Sequence, residues 1–111
     1  MTKNAVSLAI FAAVPLAIVV ASQTLAGAAT AADVKEGEET YTDNCSTCHG
    51  EHLVNTSGGA TFDLRKLKPN EHSRFVNSVL NGKNQMPPWQ GVLSDDQINS
   101  IWDYIRATVD K

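Results

Sequence analysis

Cys45-Ser46-Thr47-Cys48-His49 is the stretch on which the reading of this chain turns. Two thiols separated by two residues, with an imidazole directly after the second, fit the covalent attachment of a c-type haem. The chemistry asks for that spacing. Each thiol adds across one of two vinyl groups on the same side of the macrocycle, and two intervening residues bring the sulfurs to that separation. His49 then falls below the iron and offers a ring nitrogen. Two other readings of the cysteine pair stand beside this one. A thiol–disulfide redox pair asks for a βαβ setting, and no strand pattern surrounds these residues. A zinc site asks for four ligands, and the chain has no second cysteine pair.

Upstream of the motif the chain changes character. Lys3 and Asn4 precede an apolar run from Ala5 to Ala21, broken by Ser7 and Pro15, and small residues follow from Ala26 to Ala32. A basic start, an apolar stretch and an A-x-A site describe a secretory signal peptide. The sites end at Ala28 and at Ala31. Cleavage after Ala31 is expected, because charged sequence begins at once with Asp33. The division is therefore residues 1–31 as signal and 32–111 as one small domain. A retained membrane anchor is the alternative, since the run approaches the roughly 20 residues that span a bilayer. Its alanine content and central proline argue for removal.

A domain this short buries a limited core and often needs a staple. Two cysteines cannot supply a disulfide framework, so a bound cofactor is the natural staple. From Ala32 onward eight basic residues face twelve acidic ones. That balance argues against a nucleic-acid partner, which asks for a basic patch.

Three helices are predicted around the motif. The first starts near Asp33, with Glu36 three residues on as a capping pattern, and runs towards Cys45 with Val34, Gly37 and Tyr41 on one face. Gly37 costs about 1 kcal/mol relative to Ala in a helix, which means either that another backbone crosses there or that the helix is merely weak. Residues 50–68 read as loop, with a turn cluster from Asn55 to Gly59. The second helix covers Pro69 or Asn70 to Asn81, with Phe75, Val76, Val79 and Leu80 as its apolar stripe and Gly82 as a left-handed stop. Lys83 to Leu93 is loop. The third helix opens on a capping box of Ser94 and Gln97 and presents Ile98, Ile101, Trp102, Ile105 and Val109 on one face.

A haem iron that carries electrons without binding substrate needs a sixth ligand. Met86, His52, His72 and Met1 are the candidates, and Met1 leaves with the signal. His52 follows His49 too closely to reach the opposite haem face. His72 sits between the polar Glu71 and Ser73, and both histidines read as surface residues. Met86 lies far enough along the chain to wrap the haem. Pro87 and Pro88 stiffen the backbone behind it by fixing φ, which suits a weak thioether ligand.

Taken together, these residues resemble the class I c-type cytochromes, over nearly all of residues 32–111. The likeness is carried by Gly37 and Tyr41, by Cys45 to His49, by Met86-Pro87-Pro88-Trp89, and by Ile101-Trp102-Asp103-Tyr104-Ile105. It implies an all-α fold with crossed N- and C-terminal helices around one haem, and Gly37 set against the Trp102 face. It implies Cys45, Cys48, His49 and Met86 as haem-binding residues, with His49 and Met86 as the metal ligands. In that family a proline downstream of the motif offers its carbonyl to the proximal histidine. Here the stretch Gly58-Gly59-Ala60-Thr61-Phe62-Asp63-Leu64 has no proline, and a carbonyl near Ala60 is the expected substitute.

The function expected from the resemblance is outer-sphere electron transfer in the periplasm by a monomer that is not an enzyme. The stretch Phe75 to Lys83, with Met86 to Trp89, looks like small cytochromes that serve periplasmic quinoprotein (PQQ) alcohol dehydrogenases. It looks nearly as much like those of respiratory or photosynthetic chains. A redox protein, dehydrogenase or oxidase, is thus the expected partner, with membrane contact only if the signal segment is kept. Two alternatives remain open: a haem enzyme or sensor with a free sixth iron position, and a thiol–disulfide protein using Cys45 and Cys48.

Overall fold

A computed structural model describes residues 9–15, 17–18 and 28–111. Most of the expected signal segment therefore lies outside the described residues. Four α-helices are present among the described residues: α1 (Ala31–Asn44), α2 (Ser46–His49), α3 (His72–Asn81) and α4 (Asp95–Val109). Single 3-10 turns cover Glu51–Leu53, Leu64–Lys66 and Pro69–Glu71. No strand forms among these residues, only isolated bridges, so the all-α expectation holds.

Helix α1 starts two residues before Asp33, because Thr30 provides a better cap. The Thr30 hydroxyl accepts the Asp33 N–H at 3.2 Å, and the Asp33 carboxylate accepts the Thr30 N–H at 2.8 Å. This reciprocal pair satisfies two donors that a helix start otherwise leaves free. Asp33 thus closes the box instead of opening it. Helix α4 starts as its sequence predicts: Ser94 Oγ accepts from Gln97 N, and Gln97 Oε1 accepts from Ser94 N.

Helices α1 and α4 cross where α1 has no side chain. A Cβ on Gly37 would lie 1.8 Å from the Ser100 carbonyl oxygen and 3.0 Å from the Ile101 nitrogen. The close approach expected at Gly37 is real, but its partner is the Ser100–Ile101 backbone and not the Trp102 face. Trp102 turns towards Phe75, 5.5 Å away between ring centroids, and towards Arg106. The core then gathers Tyr41 from α1, Phe75 and Val79 from α3, and Ile98, Ile101, Tyr104 and Ile105 from α4. Tyr104 lies outside the expected stripe because it faces Tyr41, with centroids 5.5 Å apart.

The segment read as loop contributes two core residues. Leu53 is wholly buried although its φ is +65°, and His52 before it has φ +52°. Successive left-handed residues are uncommon outside glycine. Here they fold the chain back so that Leu53 points inward while His52 stays exposed. Leu67 is the second inward residue, and Arg106 holds it by donating to its carbonyl at 2.7 Å.

Candidate functional site

Helix α1 delivers the first thiol at its own end. Cys45 caps α1 through its N–H on the Tyr41 carbonyl at 2.8 Å, and its carbonyl receives the His49 N–H at 2.9 Å. Helix α2 is therefore one turn wound directly on the end of α1, and it sets Cys48 and His49 beside Cys45. The turn is closed behind by Gly50, whose φ is +89° and where a Cβ would strike the Val54 carbonyl at 1.8 Å. The Tyr41 hydroxyl donates to the Gly50 carbonyl from inside the core. Burial pushes this phenol well above its ordinary pKa, with Cys45 adding to the effect, so it stays a donor at every physiological pH.

Cys45, Cys48, His49 and Met86 all line one cavity of about 830 Å³. Its remaining wall is mainly apolar, with Leu64, Phe75, Val79, Trp89 and Ile101 among its members. Two thiols, an imidazole and a thioether facing one largely apolar space are the donor set a covalent haem requires. When bound, the haem supplies an iron that takes up and gives back one electron. Neither His52 nor His72 reaches this space. His52 stands 3.9 Å from Glu38. His72 pairs with Asn99 at 2.9 Å and sits edge-on to Trp102. Met1 lies outside the described residues.

The imidazole of His49 is held by a backbone oxygen. Its Nδ1 lies 3.1 Å from the Phe62 carbonyl. A carbonyl only accepts, so Nδ1 carries the proton and Nε2 keeps its lone pair for a metal. The acceptor expected near Ala60 is thus Phe62, two residues on. No residue identity selects it, because a main-chain carbonyl leaves no mark on the side chain.

The Met86 segment is fastened from both sides. Met86 N–H donates to the Lys83 carbonyl at 3.0 Å, and Lys83 N–H donates back to the Met86 carbonyl at 3.1 Å. Asn84, inside this turn, takes φ +54°. Beyond Pro87 and Pro88, Trp89 N–H reaches the Val79 carbonyl of α3 at 2.8 Å. Gly82 does end α3 with φ +73°, but its ψ of 169° is extended, so it is not a left-handed helical stop. Its role is clearance, since a Cβ there would lie 2.5 Å from the Met86 carbonyl oxygen.

No disulfide joins Cys45 and Cys48, and burial pushes the Cys45 thiol up to about 11, with Cys48 adding to it. Thiols that exchange disulfides are shifted the other way, towards the thiolate. Among the described residues no helix is long and apolar enough to cross a membrane.

Comparison with known proteins agrees with this geometry. Residues 32–105 match the family described as cytochrome c oxidase, cbb3-type, subunit III. Cytochrome c6 from Nostoc sp. is 32% identical over 104 residues, covering 91% of this chain and 94% of that protein. Cytochrome c6 from Gracilaria tenuistipitata var. liui is 36% identical over 78 residues, covering 68% and 72%. Quinohemoprotein alcohol dehydrogenase ADH-IIG of Pseudomonas putida is 36% identical over 76 residues, which is 67% of this chain but only 10% of that enzyme. The solved structure of that dehydrogenase superposes with a TM-score of 0.65 at 31% identity, over 76% of this chain and 13% of the other. The chain belongs to the class I c-type cytochromes, electron-transfer proteins that carry covalently bound haem c.

Proposed function

We propose that the protein is a periplasmic single-electron carrier, with Cys45 and Cys48 bonded to the haem and His49 and Met86 as its axial ligands. The observation that carries this reading is the meeting of all four side chains on one cavity. With both axial positions filled, the iron changes charge without exchanging ligands and offers no open site to a substrate, so the protein is not an enzyme. Histidine–methionine ligation raises the reduction potential, and the apolar wall adds to this, because low dielectric disfavours the more positive oxidised centre.

The donor we propose is a periplasmic PQQ-dependent alcohol dehydrogenase. Support comes from the likeness to the portion of a quinohemoprotein alcohol dehydrogenase that this chain matches, about a tenth of that enzyme. A separate carrier of the same build would take electrons from a dehydrogenase by brief collision, through a small interface. The match to cytochrome c6 along nearly the full chain favours a second reading, a carrier between complexes of an electron-transport chain. Stopped-flow mixing of ferric protein with a reduced PQQ dehydrogenase from the same organism separates them. Reduction at micromolar protein supports the first, and no reduction there removes it.

Export by residues 1–31 is part of the proposal, with one revision at its boundary. Cleavage after Ala31 would discard Thr30 and with it the capping box of α1, whereas cleavage after Ala28 keeps both. Loss of such a cap costs about 1 kcal/mol. The mature chain is therefore expected to begin at Ala29 with its box intact. An intact mass of the purified protein reads the cleavage position and the single added haem together, and a mass starting at Ala32 would contradict this placement.

A further inference from the structure

In the resembled family a proline carbonyl takes the bond from the proximal histidine; here the Phe62 carbonyl faces His49, and phenylalanine has no ring to fix φ. Phe62 does not belong to the buried core cluster; it lies on the wall of the cavity. Its neighbours are tied down. Thr61 Oγ1 donates to the Cys48 carbonyl at 3.0 Å, and the Thr61 carbonyl takes Asn55 Nδ2 at 3.0 Å. Asp63 accepts the Arg65 N–H at 3.0 Å to cap the next turn. Between these fixed points the Phe62 ring lies under the guanidinium of Arg74, whose Cζ is 5.0 Å from the ring centroid.

Arg74 is itself paired with a carboxylate. Its Nη1 donates to Glu71 Oε1 at 2.8 Å, and Glu71 Oε2 accepts the Lys68 N–H at 2.8 Å. Helix α3 thus projects a braced cation onto the face of the aromatic ring, an attractive placement. A continuous chain of contacts runs from Glu71 to Arg74, to the Phe62 ring, to its carbonyl and to His49 Nδ1. Contacts behind a metal-binding histidine orient its ring and tune the metal.

We propose that Arg74 is a positioning residue for the His49 imidazole, acting through Phe62 in place of the missing proline. The proposal rests on His49 as the iron ligand. It assigns a specific task to two residues outside the ligand set. Arg74 supplies the clamp, and Phe62 supplies both the clamped ring and the accepting oxygen. Arg74 also lines the cavity, so the test must separate an effect on the imidazole plane from the field of its charge at the iron.

The test uses the haem-loaded protein in five forms: natural, Arg74→Leu, Phe62→Leu, the double variant, and Phe62→Pro in the Arg74→Leu protein. Two readouts matter, the exchange rate of the His49 ring N–H and the pattern of haem-methyl shifts in the ferric NMR spectrum, which follows the imidazole plane. Each single change is expected to speed exchange about two- to fivefold, the effect of losing one exposed cation–π contact. Both should move the methyl pattern in the same direction, and the double variant should go no further than either single one, as coupled residues do. Phe62→Pro placed in the Arg74→Leu protein should restore the natural pattern, because proline fixes φ. Unchanged exchange and methyl shifts in Arg74→Leu would overturn the proposal. So would additive effects, or a shift in reduction potential with the methyl pattern intact, which would mark a pure charge effect. Failure of His49 as ligand looks different, because the natural protein itself would then lack a low-spin histidine–methionine spectrum.

Discussion

Met86, the axial ligand we propose, shows how much of such a task is done by its neighbours. The thioether is weak, yet the Lys83 pair, two prolines and the Trp89 bond to α3 leave its backbone few alternatives. Met86→Ala should therefore leave the haem attached and the fold intact while opening the iron. The expected outcome is loss of the methionine-ligated ferric spectrum and tight binding of added imidazole or cyanide. An unchanged spectrum would exclude Met86 as the ligand. At this scale the sequence was most informative where side chains do the chemistry. The motif and the Met86-Pro87-Pro88 stretch single out Cys45, Cys48, His49 and Met86, and the structure gathers these four on one cavity. Phe62 was not, because its contribution is a carbonyl. Leu53 was not, because its burial depends on a left-handed backbone that no leucine advertises.

Helices were legible to the extent that their ends are written in side chains. Ser94 and Gln97 opened α4 as expected. Thr30 escaped notice because it sits among the small residues of the expected cleavage region, where hydroxyls and alanines look alike. Gly37 marks a crossing point in the sequence, but the expected partner, the Trp102 face, differs from the Ser100–Ile101 backbone found there, since a backbone-to-backbone contact leaves the facing residues free to vary. The contact also sets a quantitative expectation. Gly37→Ala forces a Cβ into the Ser100 carbonyl, so the two helices must part. The cost should reach the upper end of the range for overpacking, about 3 kcal/mol, despite the better helix propensity of alanine. Denaturant melts of the holoprotein test this. A variant as stable as the natural protein would mean that α1 and α4 shift without penalty.

Across the molecule, acid should loosen several turns together. Hydrogen bonds from Thr30 hold the Asp33 carboxyl below its ordinary value of 3.8. The Arg65 side chain does the same for Asp63. For Glu71 the Lys68 N–H comes first and Arg74 second. A carboxyl depressed in the folded state stabilises it above the unfolded pKa, and that contribution disappears as pH falls through the folded value. Asp103 acts in the opposite sense, because burial raises it. The melting temperature should accordingly be flat near neutrality and decline once pH drops below about 4. Asp33→Asn should flatten part of that decline, and a decline of equal steepness in that variant would show that the α1 box does not contribute.

The crossing at Gly37 also bears on the order in which the protein is built. Its two halves come from opposite ends of the domain, so docking α4 on α1 closes the longest loop the domain contains, and contacts of that separation form slowly. The thiols and His49 lie on the early side of that closure, wound onto α1 by the local bonds of Cys45. Cofactor attachment can therefore precede completion of the fold, with α4 acting as the final latch over a group already bonded to the chain.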